Sequence, residues 1–342
     1  MTIAFIDGFD RYPNTGGGVG VRGNWIYSTA GALVAGRVAG QGYECSGNVT
    51  TEAIQRPLPA STQYSVFAAF IHTNYTGSVT TNNLSLRNST GIEAVGIAYD
   101  SNDAMLVSIR GVVVATVPLT LGPNVWFGLS LVYENHLTLG KVQVRVNGEL
   151  LVNIANVNTT FQSGANQVTE LELKGKPTSG VGGSVTWDDV RVDYDTLTPI
   201  PEGRVAPKFP TADVAAGWTR LSGAANFEMV DEVTCDSDVT YNYSTVKNTK
   251  DEYGFGALGF NPDKILAVQV AYAARKDDAS TRVVGAKLKW AAFAPAMTPN
   301  YLSTDYTWHE KNFVASEFGE PEITLAMLNA FTVEFEDLGD GT

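Results

Sequence analysis

The chain has 342 residues, 44% of them hydrophobic and only 17% charged, and a formal net charge of −13. That length suits two domains of ordinary size, and the apolar share excludes a solvated, disordered chain. The acidity is broken by no basic cluster denser than Lys287-Leu288-Lys289, which argues against nucleic acid as a partner.

The N-terminal stretch Met1–Tyr12 lacks a basic segment followed by an apolar one. No apolar run approaches the roughly 20 residues of a membrane-spanning helix. The expectation is a soluble chain made in the cytoplasm, without membrane insertion. Gly18-Val-Gly20-Val-Arg-Gly23 satisfies the letter of G-x-G-x-x-G. It has neither the buried strand before it nor the helix after it that a pyrophosphate site needs, so it reads as a flexible loop.

Period-two alternation then dominates. Tyr64–Phe70, Ala104–Arg110 and Val142–Val146 each read as half-buried strands. Asn147-Gly148 tolerates positive φ at both central positions, which predicts a two-residue type I′ hairpin between Lys141–Val146 and Glu149–Ile154. Ser184–Tyr194 looks like a closing strand. Prolines at 199, 201, 207 and 210 oppose ladder and helix alike and predict a semi-rigid linker over 198–210. The resulting layout is all-β: a sandwich over 1–197, the linker, and a second jelly-roll-like sandwich over 211–342. The segment after Pro199 holds 12 basic and 21 acidic residues against 11 and 15 up to it, so it carries −9 of the −13.

In the second half, Lys264–Ala274 and Thr281–Trp290 read as the two arms of a hairpin with a charged tip at Arg275–Ser280. One short helix is predicted over Pro321–Ala330, with Ile323, Met327 and Ala330 on one face. Phe331–Phe335 follows as a last strand.

Candidate chemistry is sparse. Cys45 and Cys235 fall one to each half and read as thiols rather than a bridge; no Cys/His ligand cluster exists, so no metal or cofactor is expected. His72, His136 and His309 have no motif partners. Asp7 with Asp10, Asp188 with Asp189, and Asp236 with Asp238 could offer oxygens, but none forms an EF-hand-like loop. Glu170-Leu-Glu172 places two acids on one strand face, the nearest approach to a glycosidase pair. Tyr306 and Trp308 alternate onto one face and are the candidates for an interface or a glycan contact. No catalytic residue is expected, and the chain reads as non-enzymatic.

Several segments carry resemblances. Ile6-Asp-Gly-Phe-Asp-Arg-Tyr12, Asn124–Tyr133, Val142–Leu151 and Trp187–Asp193 resemble, in order, strands of the laminin-G-like, concanavalin A-like sandwich. Trp218–Gly223, Asn226–Glu232, Asp251–Phe255, Val268–Asp278 and Leu328–Ala330 resemble the C-terminal part of virion proteins of tailed bacteriophages. The second resemblance implies a structural component of a phage particle, tail-associated or fibre-like, assembled as a homo-oligomer with other virion proteins. Two alternatives stand beside it: a head decoration or fibre protein of the capsid, and a module that binds host-surface polysaccharide. A depolymerase acting through Glu170 or Glu172 is the reading that would overturn the non-enzymatic one.

Overall fold

A computed structural model describes residues 2–12, 25–27, 31–37, 41–46, 53–73, 83–100, 104–161, 167–175, 184–233, 235–291, 293 and 295–340. The Gly18–Gly23 motif lies outside them. The chain is all-β and divides into two compact units, Met1–Ala206 and Pro207–Thr342.

The first unit contributes β1 (Thr2–Asp7), β2 (Ile26–Tyr27), β3 (Ala32–Ala35), β4 (Gln41–Ser46), β5 (Ala53–Ser61), β6 (Gln63–His72), β7 (Leu84–Arg87) and β8 (Glu93–Asp100). It continues through β9 (Ala104–Ile109), β10 (Val112–Pro118), β11 (Trp126–Glu134), β12 (Gly140–Val146), β13 (Glu149–Val157), β14 (Val168–Lys174) and β15 (Ser184–Tyr194). A back sheet runs β13-β12-β11-β6-β15-β4-β3, with β1 beside β15, and a front sheet runs β10-β9-β8-β7-β14-β5-β2. Alternation along each strand sends one set of side chains between the sheets. Val66, Phe70, Leu131 and Trp187 of the back sheet are buried there, as are Leu84, Ile97, Val107 and Leu171 of the front sheet. Each such side chain contributes about 1.5–3 kcal/mol by leaving water. The Asn147-Gly148 turn has φ of 50° and 80°, the type I′ geometry its sequence demands.

Strand β15 explains the Asp188-Asp189 pair. Its Ser184–Trp187 portion pairs with β4 and its Val190–Tyr194 portion pairs with β1, so the edge changes partner at the two aspartates. Asp189 takes φ of 52° there. The free backbone donors around the break are then capped by carboxylates. Asp188 accepts N–H bonds from Arg37 and Asp189, each at 2.7 Å, and Asp189 accepts that of Val205 at 2.6 Å.

Residues 198–206 lie against the outer side of the back sheet. Ile200 is buried and its N–H donates to Ser65 Oγ at 3.1 Å. Glu202 pairs with Arg37. At Gly128 a Cβ would come within 3.1 Å of Phe67 and 3.2 Å of Glu202, so this strip of the sheet is occupied.

The two sheets are pinned by Asp7, whose carboxylate is buried between them. It accepts hydrogen bonds from Phe9 N–H (2.9 Å), Tyr12 O–H (2.6 Å) and Trp25 Nε1–H (2.9 Å). It also pairs with Arg11 at 3.1 Å and with Arg56 of β5 at 3.4 Å. Burial alone would favour the neutral acid, but the two guanidiniums and the Tyr12 and Trp25 donors outweigh it and hold the carboxyl below its ordinary range. Arg56 also lies 4.2 Å over the Phe5 ring.

The second unit comprises β16 (Pro210–Ala216), β17 (Thr219–Arg220), β18 (Asn242–Tyr243), β19 (Lys250–Phe255), β20 (Val268–Ala274), β21 (Val283–Lys289), β22 (Thr298–Tyr301), β23 (Thr307–Phe313) and β24 (Thr332–Gly339). Its main sheet runs β16-β19-β24-β21-β22. The expected hairpin is corrected here: β20 pairs with β23, whereas β21 pairs with β22 and β24. The Arg275–Ser280 connection therefore passes between layers. The physical reason is the core, where Val270, Phe313, Leu288 and Phe331 meet only if the β20–β23 ribbon packs on the main sheet instead of extending it. The helix α1 spans Leu325–Ala330, shorter than expected, because Thr324 Oγ1 caps it by accepting Met327 N–H at 3.2 Å. Ile323 and Met327 are buried as expected, but Ala330 is exposed.

On the other face of the main sheet, Glu334 meets Lys287 at 2.7 Å, Lys289 at 3.1 Å and Lys250 at 3.2 Å. Burial opposes its charge, yet the three ammonium groups hold Glu334 at about 2.

Two stability predictions follow from these buried charges. Asp7→Asn leaves Arg11 and Arg56 without a counter-charge, and chemical denaturation should show a loss of about 3–5 kcal/mol. For Glu334 the folded value lies below the unfolded 4.5, so its contribution is complete above pH 4.5 and lost as pH falls towards 2. Acid unfolding of wild type should show this loss, and Glu334→Gln should flatten it.

Candidate functional site: the polar face of the front sheet

The register of the front sheet places Ile26, Gln55, Glu172, Ser85, Gly96, Ser108 and Val113 in one row across all seven strands. Their in-sequence neighbours Ile54, Leu173, Leu84, Ile97 and Val107 point into the core. By alternation the row faces outward. A second outward row holds Pro57, Glu170, Arg87 and Glu93, with Arg87 directly opposite Glu170 on one side and Glu93 on the other.

Glu172 is the centre of this face and is only 2% exposed. Gln55 Nε2 donates to it at 2.8 Å, Ser85 Oγ at 3.1 Å, and Lys174 Nζ lies 2.6 Å away. Arg87 completes the ring through one Nη. Burial pushes the carboxyl up, but the Lys174 ammonium, Gln55 and Arg87 prevail and hold it below its ordinary range. The rest of the Arg87 fork is committed to the Gly91 carbonyl, which accepts from Nε at 2.9 Å and from the other Nη. Gly91 sits at φ +77°, and a Cβ there would come 3.0 Å from that Nη, so a glycine is needed to let the guanidinium close. Ser108 donates to Glu93 at 2.7 Å.

Chemically the ring is a clamp that holds Glu172 as a carboxylate. A general acid for glycoside cleavage needs a raised carboxyl. Glu172 is lowered and spends its lone pairs on four partners. Among the described residues of the face there is no His, Tyr or Cys to take a second role.

The other candidates have local duties. His136 Nδ1 accepts the N–H groups of Thr138 (3.1 Å) and Leu139 (2.8 Å), closing a turn. His72 is buried with its ring 5.4 Å from that of Tyr99, and His309 stacks 5.3 Å from Tyr272 in the second unit. Cys45 is buried, Cys235 is half-buried, and neither is in a disulfide. In the second unit Tyr306 donates to Ser237 O at 3.0 Å and Asp238 Oδ1 at 3.1 Å, beneath Arg275. Trp308 sits in β23 opposite Ala273, half-buried. Asp236 accepts from Thr240.

Asp10, Asp188 and Asp189 do come near one another in the first unit. Burial, with Asp189 and Asp7 adding repulsion, pushes Asp10 up to about 6, against a Gln41 N–H bond of 2.7 Å. Burial first, and then Asp189, raises Asp188; burial likewise raises Asp189, against the pull of Val205 N–H and Arg37. Among the described residues no three His, Cys, Asp or Glu side chains are grouped to hold a metal ion.

Sequence reasoning had singled out Glu170 and Glu172 but missed Gln55, Ser85, Arg87, Lys174, Glu93 and Ser108. The available signal was the polar half of each alternating strand, such as Leu84-Ser-Leu-Arg87 beside Leu171-Glu-Leu-Lys174.

No protein-family profile matches the chain, and no curated protein matches it. Among solved structures, 58% of the chain is similar to the whole of an alginate lyase, Aly36B, at 8% identity and a TM-score of 0.46. The same share is similar to the whole of a cellulose-induced protein, Cip1, at 13% identity and a TM-score of 0.40. It is also similar to 95% of domain 4 of AbnA, an extracellular arabinanase from Geobacillus stearothermophilus solved with arabinotriose, at 16% identity and a TM-score of 0.37.

The acid cluster has the opposite pH signature from Glu334. For Asp10 the folded value of about 6 lies above the unfolded 3.8, so its contribution is intact below pH 4 and lost as pH rises through 6. Asp10→Asn keeps an acceptor for Gln41 and should melt a few degrees above wild type at pH 8, with the gap closing below pH 4.

Proposed function

We propose that the chain is a non-catalytic binding protein whose first unit takes a glycan across the polar face of the front sheet. The observation that carries the reading is the outward row Gln55–Glu172–Ser85–Gly96–Ser108. Five strands there align hydrogen-bonding or small side chains as a floor of low exposure, with Glu172, Ser85 and Ser108 buried, beneath the half-buried Gln55, Arg87, Glu170 and Lys174 and bordered by the exposed Val113 and Ile26. Ser85, Gly96 and Ser108 are short, so the row is lower than the Arg87 and Lys174 side chains beside it. A hydroxyl-rich chain lying along it meets donors from Gln55 and Lys174 and acceptors from Glu170 and Glu93. The clamped Glu172 fixes these groups in place, as binding without catalysis requires.

A second reading has its own observation. Among the described residues, edge strand β10 pairs with β9 alone, and it exposes Val112, Val113 and Val114 at 62%, 53% and 44%. Residues 111–133 include no charge in a chain of −13. An apolar sheet edge of this kind suits assembly, and it supports a particle component of the tail-associated, fibre or head-decoration type acting as a homo-oligomer. Mass spectrometry of purified tailed-phage particles, with the oligomeric state of the isolated chain, tests it: absence from particles and a strictly monomeric protein would sink it.

For the glycan reading, immobilised polysaccharides should retain wild type. Lys174→Met or Gln55→Ala should weaken retention about tenfold, the worth of one hydrogen bond to a charged or well-placed group. Reducing ends should not appear in the polymer. Their release, abolished by Glu172→Gln, would make the protein a depolymerase.

A further inference from the structure

Whether the front-sheet face admits a charged sugar is decided by what its two cations are already doing. Arg87 has given one Nη to Glu172 and its Nε and other Nη to Gly91 O, so three of its five N–H groups and the direction of its fork are already committed. Lys174 lies 2.6 Å from the same Glu172 oxygen that Ser85 reaches. Around them the cross-strand register puts Glu170 on one side of Arg87 and Glu93 on the other. Among the described residues the cross-strand set holds two positive groups, Arg87 and Lys174, against three negative ones, Glu93, Glu170 and Glu172, for a local sum of −1. The whole chain, at −13, adds repulsion of the same sign.

An acidic polymer has two ways to bind, and both carry an electrostatic cost. An anion at Arg87 or Lys174 competes for the cations that hold a carboxylate only 2% exposed. Leaving those pairs intact brings the anion against Glu170 or Glu93. An uncharged sugar needs neither exchange, because its hydroxyls can donate to the outer carboxylates and accept from Lys174 and Gln55 without breaking the clamp. We infer that this face discriminates by charge, accepting neutral polysaccharides and rejecting polyuronates and sulfated polymers; the inference rests on the glycan reading above.

The test is binding of the full chain to immobilised polymers at about 0.15 M salt, where charges farther apart than about 8 Å are screened. The probes are a neutral β-glucan and a galactomannan against polygalacturonate and dextran sulfate. Wild type should bind a neutral polymer at least roughly tenfold more tightly than either acidic one. Glu93→Gln/Glu170→Gln keeps the oxygen that accepts from Ser108 and leaves Glu172 clamped, while changing the local sum from −1 to +1. It should move the acidic-to-neutral ratio roughly tenfold or more towards the acidic polymers, and the gain should vanish in about 1 M salt. Glu170→Gln alone should move it part of the way, and circular dichroism and melting confirm that both variants fold. Equal or tighter wild-type binding to an acidic polymer, lost in Arg87→Met, overturns the inference and leaves the glycan reading standing. An unchanged ratio in the double variant also overturns it. If wild type binds no polymer of either kind, the glycan reading falls and the inference falls with it.

Discussion

The first unit depends on a single buried carboxylate. Asp7 ends β1 in the back sheet, Arg56 reaches it from β5 in the front sheet, and Tyr12 and Trp25 close over it from the chain that follows. Five donors satisfy one ion. That is why the site can be dry without being unstable, and why removing the acid would leave two guanidiniums costing more than the pairing contributed. The Phe9, Trp25 and Tyr43 rings assemble around the same point, with centroids 5.5 Å and 6.0 Å from Phe9, so the aromatic packing inherits its geometry from the ion.

The same device recurs in two further places with the same outcome, and a third place that lacks the cations shows the opposite one. Glu172 on the front face and Glu334 in the second unit are each ringed by cations that overcome burial. Asp10, Asp188 and Asp189 have mainly backbone donors and one another, so burial and repulsion win and their carboxyls rise. Low total charge makes this possible. With few ionic groups, most of those that are buried have specific partners, and the chemistry of the surface is set by which partners are already spent.

That view changes what Glu170-Leu-Glu172 means. As sequence it is a pair of acids two residues apart. In the sheet the two have separate neighbours: Glu172 is clamped by Arg87, Lys174, Gln55 and Ser85, while Glu170 faces Arg87 across a strand pair. The two acids, two residues apart in sequence, thus differ in what surrounds them across the sheet.

Alternation and turn chemistry by themselves determined the all-β class, the type I′ turn at Asn147-Gly148 and the closing strand at Ser184–Tyr194. These are local consequences of Cβ direction and allowed φ, and they need no knowledge of neighbours. The short helix was legible as well, though its start moved to the Thr324 cap. Strand pairing was not legible: β20 and β21 follow one another yet lie in different sheets, because burial of Val270 against Leu288 and Phe331 outweighs the loop economy of a hairpin. Nor could sequence reveal that Asp7 meets Arg56, 49 positions away, or that Arg87 meets Glu172, 85 positions away. Such contacts are fixed by cross-strand register. Only the folded sheet decides which polar residues share a face and which charges cancel there.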